Sequence, residues 1–144
     1  EFIYGIGAII ALIHDVIITL GFFSIFQIEF NLSVLSAALA VIGYSLNDTI
    51  VVYDRIRENT RVVKTDRYDN LLNNSVNQTL SRTVITSLTT MFVLVSLYLL
   101  GGAAVELFAL AMMIGILVGT YSSIFIASTS LLLLGANAEI REND

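Results

Sequence analysis

The sequence predicts an all-α fold: a polytopic membrane helix bundle of four transmembrane helices, with one further helix at the cytoplasmic interface. Three observations carry that expectation. Of 144 residues, 56% are hydrophobic and only 13% charged, a more apolar balance than a soluble domain carries. Four segments approach or exceed the roughly 20 apolar residues needed to cross about 30 Å of hydrocarbon. Five of the seven basic residues, Arg55, Arg57, Arg61, Lys64 and Arg67, crowd into a single connection, as short cytoplasmic loops do.

Composition excludes several classes of function. Cysteine is absent and there is one histidine, so disulfides and thiolate metal sites are ruled out, no metal site is expected and no cofactor is implied. The formal net charge of −5 argues against a nucleic-acid partner, which needs a basic face. Glu1-Phe2-Ile3 enters an apolar helix with no basic leader and no cleavage site, so a signal peptide is not expected. The opening without methionine marks the chain as an expected fragment.

Helix one covers residues 2–26, an apolar run broken only by small residues and by His14-Asp15. A short polar turn over residues 27–31 leads to helix two, residues 32–58, which no proline or paired glycine stops before it reaches the charged cluster. The basic loop is placed in the cytoplasm by its charge, and the turns at 27–31 and 101–104, which lack Lys and Arg, face outside. Both ends of the chain are therefore expected in the cytoplasm. Over residues 66–79, Tyr68, Leu71, Leu72 and Val76 recur at helical spacing, with Asp69, Asn70, Asn73, Asn74 and Asn77 on other faces. That stripe fits an interfacial helix, with a solvated helical hairpin as the alternative.

Helix three spans residues 81–100 and opens on Ser81, Arg82, Thr83, Thr86, Ser87, Thr89 and Thr90. Hydroxyls can bond back to their own helix, so several of them are expected to be silent. Helix four, residues 106–134, holds Ala111, Gly115, Gly119, Ser123 and Ala127 at four-residue spacing. Small side chains along one face, Gly115, Gly119 and Ser123 above all, point to close helix packing.

The residues with chemistry to offer lie inside the apolar helices, where an ionisable group is a functional candidate by default. At 1.5 Å per residue, Asp48 sits about 22 Å along helix two, within the hydrocarbon thickness. A carboxylate there must face other helices or water, and one near its titration point can load and release protons. Arg82 falls at a comparable depth one helix later. Were the helices adjacent, its guanidinium would hold Asp48 ionised and protonation would part the two. The competing readings are a structural contact for Asp48 and snorkelling of Arg82 to the interface. His14 and Asp15 lie near mid-membrane on helix one and are both candidates for proton coupling: the histidine could shuttle protons or be a hydrogen-bonded core residue, and Asp15 is the better functional candidate of the two. Asn47 faces another side with Gly43, Val51 and Asp54, and is expected to bond a neighbouring helix. Asp54, Arg55, Arg57 and Glu58 read as a surface ion-pair cluster, and Tyr53 as an interfacial aromatic.

Four stretches together resemble one known family. They are residues 11–21 with His14-Asp15-Val16-Ile17-Ile18-Thr19, residues 43–59 around Leu46-Asn47-Asp48-Thr49, residues 77–90 around Leu80-Ser81-Arg82-Thr83, and residues 115–128. The chain resembles the membrane half of the SecF branch of the SecD/SecF protein-export family, which is related to the RND transporters. The resemblance implies a bacterial cytoplasmic-membrane subunit that works with SecD beside the Sec translocase channel. It further implies use of the proton-motive force to assist export of a polypeptide, with no enzymatic step. The residues it assigns to proton coupling are Asp48 and Arg82, with Asn47 in support. It also implies a missing first helix, an extracytoplasmic domain and a following helix.

Two other readings remain open at this stage. One is a different RND-type proton-coupled transporter, or a SecD-like membrane half, moving a small substrate. The other is an intramembrane aspartyl protease with Asp15 and Asp48 as a dyad, although no Gly-x-Gly-Asp segment is present. A carboxylate of Asp48 turned toward the acyl chains, or sealed off without any polar contact, would defeat the proton-coupling reading.

Overall fold

The computed structural model describes residues 2–62 and 67–134. Lys64, Arg141 and the first residue of the expected interfacial helix lie outside them. The described residues form α1 (Phe2–Ile25), α2 (Leu32–Val62), α3 (Tyr68–Leu100), α4 (Ala103–Ile124) and α5 (Ile126–Leu133). Four helical stretches, with α4 and α5 counted as one, are long and apolar enough to cross a membrane.

Cross-helix contacts fix the register. Asp15 meets Ser45, and eight residues back along α1 Gly7 meets Tyr53, eight residues on along α2, so these helices are antiparallel. Val41 faces Gly115, Ser45 faces Gly119, and Tyr53 bonds Ala127, so α2 runs parallel to α4 and α5. A Cβ on Gly115 would overlap the Val41 side chain, and one on Gly119 would stand 3.3 Å from the Ser45 Cβ. Glycine at both positions brings the α4 backbone against α2. Antiparallel α3 is tied to α4 by a 2.6 Å bond between Ser87 Oγ and Thr120 Oγ1. It is tied to α2 by Asn59 Nδ2 donating to Ser75 Oγ at 2.8 Å.

Each long helix buries an apolar, then a polar, then an apolar segment along one face. At the basic end, Ala11, Val52, Tyr53, Ile56, Tyr68, Leu71, Leu72, Ala127 and Leu131 form one cluster. Toward the other end, Phe23, Val34, Ala37, Val41, Leu94, Ala111, Met112 and Ile116 form a second. Between them along the helices lie buried polar residues, including Asp15, Thr19, Ser45, Asp48, Thr49, Thr83, Ser122 and Ser123. Large side chains such as Ile9, Ile17, Leu39, Ile85, Phe92 and Leu117 point outward, the arrangement expected where lipid rather than water is the solvent.

Three elements differ from the sequence expectation. The separate interfacial helix and helix three are one continuous α3, because nothing between Thr79 and Arg82 breaks a helix. Its leading stripe of Tyr68, Leu71 and Leu72 packs on α2 and α5. Helix four is interrupted at Phe125. Around the break, Ser123 Oγ donates to the Thr120 carbonyl at 3.0 Å and Ser128 Oγ donates back to the Ile124 carbonyl, a competition that bends helices. Tyr53 is no interfacial aromatic. It is buried, stacks edge-on to Tyr4 with centroids 5.5 Å apart, and donates its hydroxyl to the Ala127 carbonyl at 2.9 Å.

Two substitutions test this packing by reversible unfolding in detergent. Gly115→Val, which forces α4 off Val41, is expected to cost about 1–3 kcal/mol. Tyr53→Phe, which removes the hydroxyl's contacts with the Ala127 carbonyl and Ser130 Oγ, is expected to cost about 1 kcal/mol.

Candidate functional site

The polar layer is built around two carboxylates on neighbouring helices. Asp15 on α1 is fully buried, at 0% exposure. Ser45 of α2 donates its Oγ–H to Asp15 Oδ2, while His14 Nδ1 lies 3.1 Å from Asp15 Oδ1. The histidine ring is partly exposed at the edge of α1. Thr19 Oγ1 returns a 2.7 Å bond to the Asp15 backbone carbonyl, and Ser122 Oγ of α4 reaches the Ala11 carbonyl at 3.4 Å. Three helices thus close around one acid.

Asp48 stands one turn further along α2, on the same buried face as Ser45, Thr49 and Val52. Its side chain turns into the bundle, at 5% exposure, and its Oδ2 has no hydrogen-bond partner. An inward carboxylate with an unmet oxygen is costly to keep. Sites of that kind are retained for chemistry or for a partner that completes them.

Arg82 is the cation whose charge reaches Asp48. The expected ion pair is not closed, because Arg82 lies on the exposed side of α3 and Asp48 Oδ2 has no partner. The register explains the gap. Asn59 bonds Ser75 and Arg55 Nε bonds Gln78 Oε1 at 2.6 Å, and extending that antiparallel run by one turn sets Arg82 level with Val51 and Val52. That step from Asp48 is about one helical turn, roughly 5.4 Å along the axis.

Asn47 is not brought into the site. It is exposed on the outer face of α2 with Gly43 and Asp54, and among the described residues no side-chain hydrogen bond ties it to another helix. Gly115 and Gly119 line the approach of α4 to α2. Ser123 is buried, but its hydroxyl bonds within its own helix. Arg55 pairs with Glu58 at the basic end. A cleft of about 340 Å³ opens there between α1 and α2, lined by Tyr4, Ala8, Ile50, Tyr53, Asp54 and Arg57. Among the described residues no group of His, Asp and Glu could hold a metal ion.

Residues 1–137 match the family described as protein export membrane protein SecD/SecF, C-terminal. The chain belongs to the SecD/SecF family. Relatives named protein translocase subunit SecF include one from Calditerrivibrio nitroreducens, 58% identical over 130 residues, covering 89% of this chain and 43% of that one. Another, from Vibrio alginolyticus, is 55% identical over 133 residues, covering 92% of this chain and 42% of that one. A crystal structure of SecDF in a super-membrane-facing form superposes with a TM-score of 0.91 at 44% identity, over 99% of this chain and 20% of that one. The Thermus thermophilus SecDF, titled a translocon-associated membrane protein, gives 0.88 at 47% identity, over 92% and 18%. The chain spans less than half the length of these SecF relatives, and it is a multi-pass membrane segment of the family.

Sequence reasoning missed Ser45, the residue that joins Asp15 to α2. Its place three residues before Asp48, on one helix face, was the available signal. Asp15→Ala is expected to lower stability by about 1–3 kcal/mol in detergent unfolding, because it strands the Ser45 hydroxyl in the bundle. A change below about 0.5 kcal/mol would mean that the Asp15–Ser45 bond does not hold α1 to α2.

Proposed function

We propose that this segment is the proton-coupling membrane part of a Sec translocase subunit, which draws on the proton-motive force to assist polypeptide export across the bacterial cytoplasmic membrane. The observation that carries the reading is Asp48, an acid turned inward within a membrane-spanning helix, with one oxygen unmet and Arg82 within electrostatic reach. In this reading the pair alternates. Ionised Asp48 draws in the guanidinium, and a proton arriving on Asp48 removes the attraction and lets α3 shift. Each proton that crosses 100 mV supplies about 2.3 kcal/mol, enough to bias two states of the bundle by well over tenfold.

The basic connection carrying Arg55, Arg57, Arg61 and Arg67 supports a cytoplasmic location for that end, and hence for both ends of the segment. The partner in this reading is a SecD-type membrane half. Asn47 on α2 and Ser81, Arg82 and Thr89 on α3 are exposed within apolar helices. Polar groups of that kind are poor neighbours for acyl chains and good ones for another helix. The Sec channel and the exported chain would be engaged by the assembled protein, and the segment itself performs no bond chemistry.

Asp48→Asn keeps size and insertion but cannot carry a proton. It is expected to abolish stimulation of export by an imposed proton gradient in inverted vesicles, and unchanged stimulation would reject Asp48 as the carrier. Arg82→Lys keeps charge but loses the planar fork. A loss of about tenfold or more in the same assay is expected if the fork grips Asp48, whereas full activity would indicate snorkelling.

A further inference from the structure

The proposed function uses Asp48 and Arg82 and leaves the best-enclosed acid, Asp15, without work. Asp15 is fully buried and bonded through both carboxylate oxygens, Oδ2 from Ser45 and Oδ1 from His14. A hydroxyl that donates its only proton still has two lone pairs to offer. Those of Ser45 lie on the buried face of α2 that also presents Asp48, three residues on, the spacing at which side chains on a helix meet. The Asp48 Oδ2 atom is buried and unpartnered, so a bond from it to Ser45 is not made in this structure and must close for a relay to run.

We infer that Ser45 is a relay residue, its hydroxyl joining Asp48 to Asp15 so that the two acids act as one proton-holding unit across α1 and α2. The inference rests on the proton-coupling reading of Asp48 and adds a second station to it. The step balances: protonated Asp48 gives its proton to Ser45 Oγ while Ser45 gives its own to Asp15 Oδ2. Asp48 is left ionised, Ser45 neutral as before, and Asp15 protonated, with its Oδ1 still beside the His14 ring. The ionised Asp48 is then the form that attracts Arg82.

Among the described residues, α4 buries no ionisable side chain against the two acids: those it buries are Ala109, Ala111, Met112, Gly115, Ile116, Gly119, Ser122 and Ser123. Among the described residues, the charged groups at the pair are His14 from α1 and Arg82 from α3, and Tyr44, four residues before Asp48 on α2, adds a buried hydroxyl without a partner. Gly119 presses on Ser45 with no side chain of its own, which confines Ser45 between α4 and Asp15 and limits its freedom to turn away. Relay action needs that confinement, because a free rotor would bond back to its own helix, as Ser36 does with the Leu32 carbonyl.

The test uses the complete protein assembled with its SecD-type half in proteoliposomes. Ser45→Ala is smaller than serine, so it fits against Gly119 and removes only the hydroxyl. It is expected to lower gradient-stimulated export by about tenfold or more, with Ser45→Thr, which restores a hydroxyl, recovering most of it. Infrared difference spectra give a readout that a purely structural role would not move. The protonated-carboxyl band deleted by Asp48→Asn should shift when Asp15 is changed to Asn, and that shift should vanish in the Ser45→Ala background. Ser45→Ala with stimulation within about twofold of the parent, or an Asp48 band indifferent to Asp15→Asn while Ser45 is present, overturns the relay. Should Asp48→Asn itself keep full stimulation, the coupling function fails. The band cycle still decides whether Ser45 links the two acids.

Discussion

A carboxylate inside hydrocarbon must be enclosed by protein, and the rest of this bundle follows from how Asp15 is enclosed. Its closure by Ser45 requires α1 and α2 to approach near mid-membrane. That approach is supported from the third side by α4, whose Gly115 and Gly119 let its backbone lie against Val41 and Ser45. In a lipid solvent there is no water to be expelled between helices, so close packing and interhelical hydrogen bonds carry the association. Here both occur at one level of one three-helix contact. The second acid, Asp48, is carried into the interior by the same helix face.

The layered interior gives the site its character. Apolar clusters above and below the polar layer bound a zone of low dielectric in which a charge acts strongly on its neighbours. Along α1 the sequence of buried residues runs Ala11, Asp15, Thr19, Phe23, and along α2 it runs Val41, Ser45, Asp48, Thr49, Val52. Because α1 and α2 are antiparallel and α2 and α4 parallel, these segments coincide in depth. The layer is thus a product of register as much as of composition.

By contrast, α3 buries few side chains along its membrane-crossing part, only Thr83 and Leu94, and Arg82 stands at its surface. Its first turns are gripped by the basic-end cluster through Tyr68, Leu71 and Leu72. The same helix carries Arg82, one turn out of step with Asp48.

Much of this was legible in the chain itself. Hydrophobic run lengths set the number of crossings, the cluster of arginines set the expected topology, and Asp15, His14, Asp48 and Arg82 stood out because ionisable residues are rare in such runs. Four-residue spacing of small residues marked α4 as a packing helix, since periodicity along one helix is a property of its own sequence. What required the tertiary structure was every relation between helices. Ser45 and Tyr53 look ordinary in the sequence, and only the antiparallel register of α1 and α2 makes the first a partner of Asp15 and sets the second against Gly7 at the basic end. Likewise, a continuous α3 and an Arg82 one turn out of step with Asp48 depend on where neighbouring helices cross. The sequence therefore determined which groups enter the membrane, because burying a polar group there depends on the residue itself; the fold decided which of them meet, because register and facing arise from packing between segments far apart in the chain.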